Sequence, residues 1–262
     1  MPDNQHIRVR PRKEQMATTP GLLQRLVSSA DEWECRWSVE KVRLLTELGK
    51  AILPTGEWGR AGHPDNGQPH LYLTFDDGPH PDTTPYLLDV LAQSNVEATF
   101  FLIGSNCAKY PELVRNISAA GHRIGNHSYN HLLMPMLSTK RIAAEIQRTN
   151  DVIAEITGEA PSIFRPPFGL MDARVGKCLQ ELNMTPVYWG SAPEDWLIPG
   201  SARVIRRVMW KITDGTLIVL HEGGHLGDQT IEAAKEIIYR SKSLGYQFSK
   251  VNVRAGLQAT GR

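Results

Sequence analysis

The sequence has little of what marks disulfide-rich, membrane-spanning or strongly charged proteins. Its 262 residues include three cysteines, Cys35, Cys107 and Cys178, and no Cys-x-x-Cys pair. An odd, dispersed set of cysteines excludes a disulfide framework and a thiolate zinc site. The sequence has no run of 18 apolar residues, so it predicts no transmembrane helix. The formal net charge of +1 gives no general attraction to nucleic acid or anionic lipid.

We expect residues 1–69 to form an extension to the main domain. Residues 1–20 are polar and lack apolar periodicity, which predicts a flexible segment. Apolar residues with largely helical spacing follow: Leu22, Leu26, Trp33, Trp37, Val42, Leu45, Leu48 and Ile52. They predict one or two helices that dock on the main domain; a partner-binding or membrane-surface helix is the alternative. Because no apolar core follows the basic amino terminus, we expect a cytoplasmic protein without a secretory signal.

From residue 70 onward, strand and helix patterns alternate at short spacing. The predicted strands cover residues 71–75, 98–103, 123–126, 163–165, 186–189, 216–220 and 247–251. Predicted helices lie between them, with start signals at Pro85, Ser138 and Asp172 and stop signals at Gly121 and Gly158. This alternation predicts an α/β fold with a parallel sheet, closed as a barrel or doubly wound. Both architectures place the active site at the carboxyl ends of the strands.

Two of these strand ends carry residues that could bind a metal ion. The first strand runs into Asp76-Asp77, and the third leads to His127 and His131. Two histidines four apart can grip one ion from one face of a helical turn, and one carboxylate would complete the set. Such a set suits a hydrolytic zinc site and also a non-haem iron site. Taken separately, the aspartates could form only a turn and the histidines could lie on the surface.

Other strand ends carry residues suited to proton transfer. Arg165 follows the fourth strand and could hold a neighbouring carboxylate base in its charged form. His221 follows the sixth strand and is a candidate general acid. Asp195 could orient that histidine, and Trp196 could form an aromatic wall for a sugar ring. A surface arginine and a buried tryptophan in the core are the structural alternatives.

The segment His221–His225 also matches the H-E-x-x-H pattern of zinc metalloproteases. That pattern requires a helix, so that both histidines face one ion. Here an apolar strand leads directly into the motif, and Gly223 and Gly224 each disfavour a helix by roughly 1 kcal/mol. The metalloprotease is therefore kept only as a remote alternative.

Residues 70–252 resemble the polysaccharide deacetylases, carbohydrate esterase family 4. Five segments carry the resemblance in order: Thr74–Pro79, His127–His131, Arg165–Gly169, Ala192–Trp196 and Leu220–His221. The resemblance implies that residues 70–262 form the catalytic domain, with the family's distorted (β/α)7 barrel fold. This fold agrees with the alternating pattern, and we expect it to carry the helical extension at its amino terminus.

The resemblance implies a role for each matching residue. Asp76 would be the catalytic base, and Arg165 would pair with it. Asp77, His127 and His131 would hold the metal ion, which would be Zn²⁺, with Co²⁺ or Ni²⁺ as alternatives.

The remaining motifs supply the substrate-facing groups. The backbone N–H near Phe168 would help hold the oxyanion, Leu220 would line the acetyl pocket, and His221 would be the acid. The fourth motif departs from the family's D-x-x-D-W pattern, because Ala192 stands where the first Asp is expected.

The implied function is metal-dependent hydrolysis of an N-acetyl group, or less often an O-acetyl group, on a carbohydrate or amino sugar. We expect a carbohydrate partner and no nucleic-acid partner. A degenerate domain that binds carbohydrate or a partner protein without turnover is the alternative that Ala192 and the extension suggest.

Overall fold

The computed structural model describes residues 67–210 and 212–252. The predicted amino-terminal helices therefore lie outside the described residues. The strands are β1 (His70–Asp76), β2 (Thr99–Leu102), β3 (Arg123–Asn126), β4 (Ile163–Phe164), β5 (Thr185–Pro186), β6 (Leu217–His221) and β7 (Gln247–Phe248). The α-helices are α1 (Thr84–Ser94), α2 (Gly104–Lys109), α3 (Pro111–Ala119), α4 (Thr139–Thr157), α5 (Ala173–Glu181), α6 (Ser201–Met209) and α7 (Gly227–Ser243).

All strand pairs of the sheet are parallel, as the alternating pattern predicts. The strand order is β5-β4-β3-β2-β1-β6, and β7 pairs with the first residues of β1. The ladder does not close between β5 and β6. Instead, the chain after β5 reaches β6 through an isolated bridge between Ser191 and Ile218. The α/β prediction is confirmed, and the barrel is distorted to the point that its sheet stays open.

Capping residues set the helix limits that the sequence predicts. The Ser138 side chain accepts a hydrogen bond from the Arg141 N–H at the start of α4, and Gly158 ends α4 with a φ of 83°. The Asp172 side chain accepts two backbone N–H bonds at the start of α5. These side chains satisfy N–H groups that a helix start leaves without partners. The short helices α2 and α6 are present in the structure but were not predicted from the sequence.

The core has two main faces because side chains alternate along each strand. Leu71, Leu73 and Phe75 of β1 face the helices in the larger apolar cluster, together with residues of α1 and α7. Tyr72 faces the interior of the open barrel, where it packs in a smaller apolar cluster with Phe101. The interior is therefore apolar below the carboxyl ends of the strands, and polar groups are gathered at those ends.

No helix in the described part of the chain combines the length and apolar character needed to cross a lipid bilayer.

Candidate metal centre and active site

Strand register brings the reactive residues to one edge of the sheet. Asp76 at the end of β1 pairs with His221 at the end of β6. On the other side, Asn126 at the end of β3 pairs with Phe164, which directly precedes Arg165. Because the strands are parallel neighbours, the residues that follow their carboxyl ends meet in one place. The topology thus assembles the groups predicted from the strand ends.

Asp77, His127 and His131 form a cluster whose possible ligand atoms lie within 4.8 Å of one another. The Nε2 atoms of His127 and His131 lie 3.4 Å and 3.3 Å from Asp77 Oδ1. Two ligand atoms on a tetrahedral zinc ion at about 2.0–2.1 Å are separated by about 3.3–3.4 Å. Asp77 Oδ1 is buried and has no hydrogen-bond partner among residues 67–210 and 212–252, as expected of an atom reserved for a cation. The three residues therefore fit a divalent metal ion.

The two histidines come together through a left-handed turn, which corrects the prediction of a helical turn. Ser128 and His131 have φ values of 63° and 52°. The turn is held by side chains: Asn126 Oδ1 accepts from the Ser128 N–H at 2.8 Å, and Ser128 Oγ accepts from the His131 N–H at 3.0 Å. Polar side chains that bond nearby backbone groups stabilise conformations other than helix, so sequence spacing alone misjudged this turn.

Hydrogen bonding and charge prepare these residues to act as ligands. His127 Nδ1 donates to the Arg165 carbonyl at 2.7 Å, which leaves Nε2 as the atom that can bind metal. Burial, together with the nearby His127, lowers the pKa of His131 and favours the neutral ring that a metal requires. Burial opposes the charged form of Asp77, but the neighbouring histidines outweigh it and lower its pKa to about 2. Asp77 is therefore a carboxylate at neutral pH.

Asp76 is not a member of this cluster and instead forms a buried ion pair with Arg165. Arg165 Nη1 donates to Asp76 Oδ1 at 2.7 Å and to Thr74 Oγ1 at 2.7 Å. The same guanidinium donates to the carbonyls of Val187 and Tyr188. Burial lowers the pKa of Arg165, and the charge of Asp76 opposes that effect. The buried arginine is thus well supplied with acceptors although the fourth motif has an alanine.

On the other side of β1, His221 is held by Asp195. His221 Nδ1 donates to Asp195 Oδ1 at 2.9 Å, and the His221 backbone N–H donates to Asp195 Oδ2 at 2.7 Å. Burial opposes the charged imidazolium, but the Asp195 carboxylate outweighs it, and the pKa of His221 rises to about 9. A histidine with this pKa carries a proton at neutral pH.

The predicted substrate-facing residues divide into two groups. The ring of Phe168 lies 4.6 Å from His131, the ring of Trp196 lies 5.1 Å from His221, and both rings are exposed. Leu220, by contrast, is completely buried in the helix-facing core. Adjacent side chains of a strand point to opposite faces, so Leu220 faces away from His221. Val219, two residues before His221, lies on the face where Leu220 was expected. The structure does not support a place for Leu220 in the site.

The H-E-x-x-H segment is not a helix. His221 ends β6, Gly223 has a φ of 136°, and α7 begins only at Gly227. The Asp-His-His set uses neither His221 nor His225. The geometry required for a metalloprotease is therefore absent from this segment.

Two buried glutamates at the site were missed in the sequence. Glu145 on α4 accepts from both the backbone and side-chain N–H groups of Asn130, between the two histidines of the turn. Glu222 accepts hydrogen bonds from Thr83 and Thr84 at the start of α1. Burial, with the nearby charges of Asp77 and Asp76, raises the pKa of Glu222 to about 7 despite these bonds. The only sequence signal for either residue was the acidic position of the H-E-x-x-H match.

Comparisons with known proteins agree with this geometry. The family model described as polysaccharide deacetylase matches residues 63–187. A peptidoglycan-N-acetylglucosamine deacetylase of Bacillus cereus is 35% identical over 209 residues, which cover 78% of this chain and 96% of that protein.

Solved structures show the same fold. The structure of peptidoglycan deacetylase PdaC from Bacillus subtilis superposes with a TM-score of 0.67 at 36% identity, covering 72% of this chain and 90% of that one. The match spans 39% of the full length of PdaC, described as a peptidoglycan-N-acetylmuramic acid deacetylase. A CE4 family pseudoenzyme from Bacillus anthracis superposes with a TM-score of 0.67 at 30% identity, covering 73% of this chain and 66% of that one. With its motifs gathered at one sheet edge and these matches along most of its length, the chain belongs to the polysaccharide deacetylase family, carbohydrate esterase family 4.

Proposed function

We propose that this protein is a metal-dependent deacetylase that hydrolyses N-acetyl groups on the amino-sugar units of a glycan. The observation that carries the proposal is the Asp77, His127 and His131 cluster, whose spacing fits a divalent ion. The proposed base, Asp76, and the proposed acid, His221, lie on neighbouring strands beside this cluster. A simple binding domain has no need of this combination.

The three clustered residues would hold the ion, and we propose Zn²⁺ with Co²⁺ or Ni²⁺ as alternatives. Their donor set of two imidazoles and one carboxylate is typical of catalytic zinc sites, which keep an open position. When bound, such an ion supplies Lewis acidity that polarises an acyl carbonyl and makes water more acidic.

Asp76 would accept the proton from the attacking water. Of the two carboxylate oxygens of Asp76, Arg165 binds Oδ1 and so fixes the plane of the carboxylate. We propose that the other oxygen, Oδ2, takes the proton. Since Arg165 is itself held by Thr74 and two carbonyls, the base has little freedom to turn. Positioning of this kind lowers the barrier because it is in place before the reaction begins.

His221 would donate a proton to the leaving amine. Asp195 binds Nδ1, so the second ring nitrogen, Nε2, is the atom that would deliver it. Because the pKa of His221 is raised to about 9, the ring is charged at neutral pH and ready to act as an acid. An unprotonated amine would be a poor leaving group, which makes this proton necessary for amide hydrolysis.

The proposed substrate follows from the exposed aromatic rings and from the relatives. Phe168 and Trp196 could pack on sugar rings, and the backbone N–H near Phe168 could support the oxyanion. The relatives named above are peptidoglycan deacetylases. An N-acetylated glycan is therefore the substrate class that we propose, with an O-acetylated glycan as the less favoured form.

A second candidate is a domain that binds glycan or a partner protein without turnover. Two observations favour it: Ala192 in the fourth motif and the pseudoenzyme among the similar structures. The four hydrogen bonds of Arg165 weigh against it, because the ion pair with Asp76 is intact without an acidic residue at position 192.

Acetate release after metal removal tests the proposal. Chitooligosaccharides, peptidoglycan fragments, acetylxylan and small N-acetylated amino sugars would be incubated with the purified protein. The same assays would follow exhaustive chelation and the return of Zn²⁺, Co²⁺ or Ni²⁺. We expect release from at least one N-acetylated substrate, loss after chelation and recovery with metal. Full release after chelation would exclude the metal mechanism, and metal binding without any release would favour the binding domain.

A further inference from the structure

Glu222 lies beneath the turn that carries Asp76 and Asp77, yet the proposed reaction does not use it. The residue is 2% exposed and follows His221 at the end of β6. Its backbone N–H donates to the Asp76 carbonyl at 2.8 Å. Its side chain therefore leaves β6 beside the turn between β1 and α1.

The two oxygens of Glu222 contact opposite ends of this turn. Oε2 accepts from the Thr83 hydroxyl at 3.1 Å and also from the Thr84 hydroxyl, and Thr84 is the first residue of α1. Oε1 faces Gly78, the residue after Asp77: a Cβ placed on Gly78 would lie only 2.1 Å from it. Oε1 is buried and has no hydrogen-bond partner within the described part of the chain.

We infer that Glu222 is a positioning residue that holds the metal-binding turn in shape. It ties the start of α1 to the end of β6 and packs against the backbone directly after Asp77. This inference rests on the proposed function, because it assumes that Asp77 binds a metal ion.

The backbone of the turn explains why such support is needed. Asp77 has a φ of 71°, a conformation that side chains with a Cβ rarely adopt and that the surrounding structure must maintain. The Asp77 carbonyl accepts from the Asn106 side chain at 2.9 Å, which restrains the turn from the side of α2. Glu222 supplies the corresponding restraint from the side of β6. A metal ligand that is held in place before the ion arrives binds the ion more tightly.

The test compares Glu222→Ala and Glu222→Gln with a control in the core. Zn²⁺ affinity would be measured on the metal-free protein by competition with a chromogenic chelator, without substrate. Gln keeps the volume against Gly78, and its carbonyl oxygen can accept both threonine hydroxyls. Val114→Ala on α3 is the control, because Val114 is fully buried and takes no part in the contacts given for Glu222.

We expect Glu222→Ala to bind Zn²⁺ about 10–100-fold more weakly, the usual cost of losing a residue that supports a metal ligand. Glu222→Gln should keep most of the affinity. Val114→Ala should lower Tm and leave the affinity unchanged. If Glu222→Ala also lowers only Tm, the residue supports the fold alone and the inference is wrong. A wild-type protein that binds no Zn²⁺ would overturn the proposed function instead.

A double-mutant cycle with Gly78→Ala tests the contact itself. The added methyl group meets Glu222 Oε1, so Gly78→Ala alone should weaken Zn²⁺ binding strongly. Adding Glu222→Ala removes that clash, and the double variant should bind better than the sum of the two single losses predicts. Additive losses would contradict the proposed contact. Should Glu222→Ala fail to fold, Thr84→Val removes one hydroxyl donor, and unchanged affinity in that variant would contradict the inference.

Discussion

The two ends of the open barrel differ in how deeply their charged side chains are buried. At the carboxyl ends of the strands, Asp76, Arg165 and Asp195 are almost completely buried. At the amino ends, the pair of Lys250 and Glu97 lies 3.0 Å apart with both side chains at least a third exposed. Burying a charge costs several kcal/mol unless its partners compensate, whereas an exposed pair costs and contributes little.

The difference in burial separates charges on the surface of the fold from charges placed for chemistry. The exposed pair of Lys250 and Glu97 could be replaced by neutral residues at little cost in stability. The charges at the carboxyl ends are held in a network that is expensive to assemble, which is expected where oriented charges drive a reaction.

Asp76→Asn should remove the proposed base and lower kcat by about 10²–10⁴-fold, the usual contribution of a positioned proton acceptor. The loss should lie in kcat, because proton removal is realised in the transition state. Acetate release at saturating substrate gives this value, with the exposed Asp89→Asn on α1 as a matched control. A change confined to KM would contradict the role assigned to Asp76.

Arg165→Met should leave Asp76 charged and unpaired in the interior. Breaking a buried ion pair by removing one partner costs about 3–5 kcal/mol, so the free energy of unfolding should fall by that amount. Urea denaturation measures it. The double variant Asp76→Asn/Arg165→Met should recover part of the loss because no lone charge remains, and a double variant less stable than Arg165→Met would contradict this explanation.

Asp195→Asn should lower the pKa of His221, which is raised to about 9 mainly because of this carboxylate. A raised pKa stabilises the fold most below the unfolded value of about 6.5, and this contribution is lost as pH rises through 9. The variant should lose that pH-dependent part of its stability. NMR titration of the metal-free protein gives the pKa directly, and an unchanged value would contradict the pairing.

Lys250→Ala at the amino ends should have the smallest effect. The residue pairs with Glu97 and donates to the Gly121 carbonyl at 2.9 Å. Exposed pairs contribute about 0–1 kcal/mol to stability, so the free energy of unfolding should fall by no more than that amount. Acetate release should stay at the wild-type rate. A loss of activity here would break the contrast between the two ends of the sheet.

The sequence correctly predicted the reactive residues that follow strand ends and the helix limits that capping residues set. Asp76, Asp77, Arg165 and His221 each directly follow or end an apolar run, and parallel pairing brings such positions together. The start and end of α4 were likewise visible in Ser138 and Gly158, because capping is a local interaction. These features need only neighbours along the chain or the general rule of parallel sheets.

The remaining features depend on the local backbone conformation, on which face of a strand a side chain occupies, or on distant contacts, and they were not predicted from the sequence. The turn from His127 to His131 is left-handed because the Asn126 and Ser128 side chains bond its backbone, an arrangement that spacing does not reveal. Leu220 was placed in the acetyl pocket through the resemblance of Leu220-His221 to the family's fifth motif, but strand alternation turns its side chain into the core. Glu222 acquires its place from contacts with residues about 140 positions earlier in the chain.

The metal content of two variants distinguishes the roles of the adjacent aspartates, Asp76 as the base and Asp77 as the metal ligand. Asp77 faces the two histidines and Asp76 faces Arg165, so only Asp77 should bind the ion. Elemental analysis after Zn²⁺ loading and desalting should find about one ion per chain in the wild type and in Asp76→Asn, the stoichiometry of a mononuclear site. Asp77→Ala should be largely metal-free, and added Zn²⁺ should restore part of its activity. Retention of zinc by Asp77→Ala together with its loss from Asp76→Asn would contradict this assignment of the two aspartates.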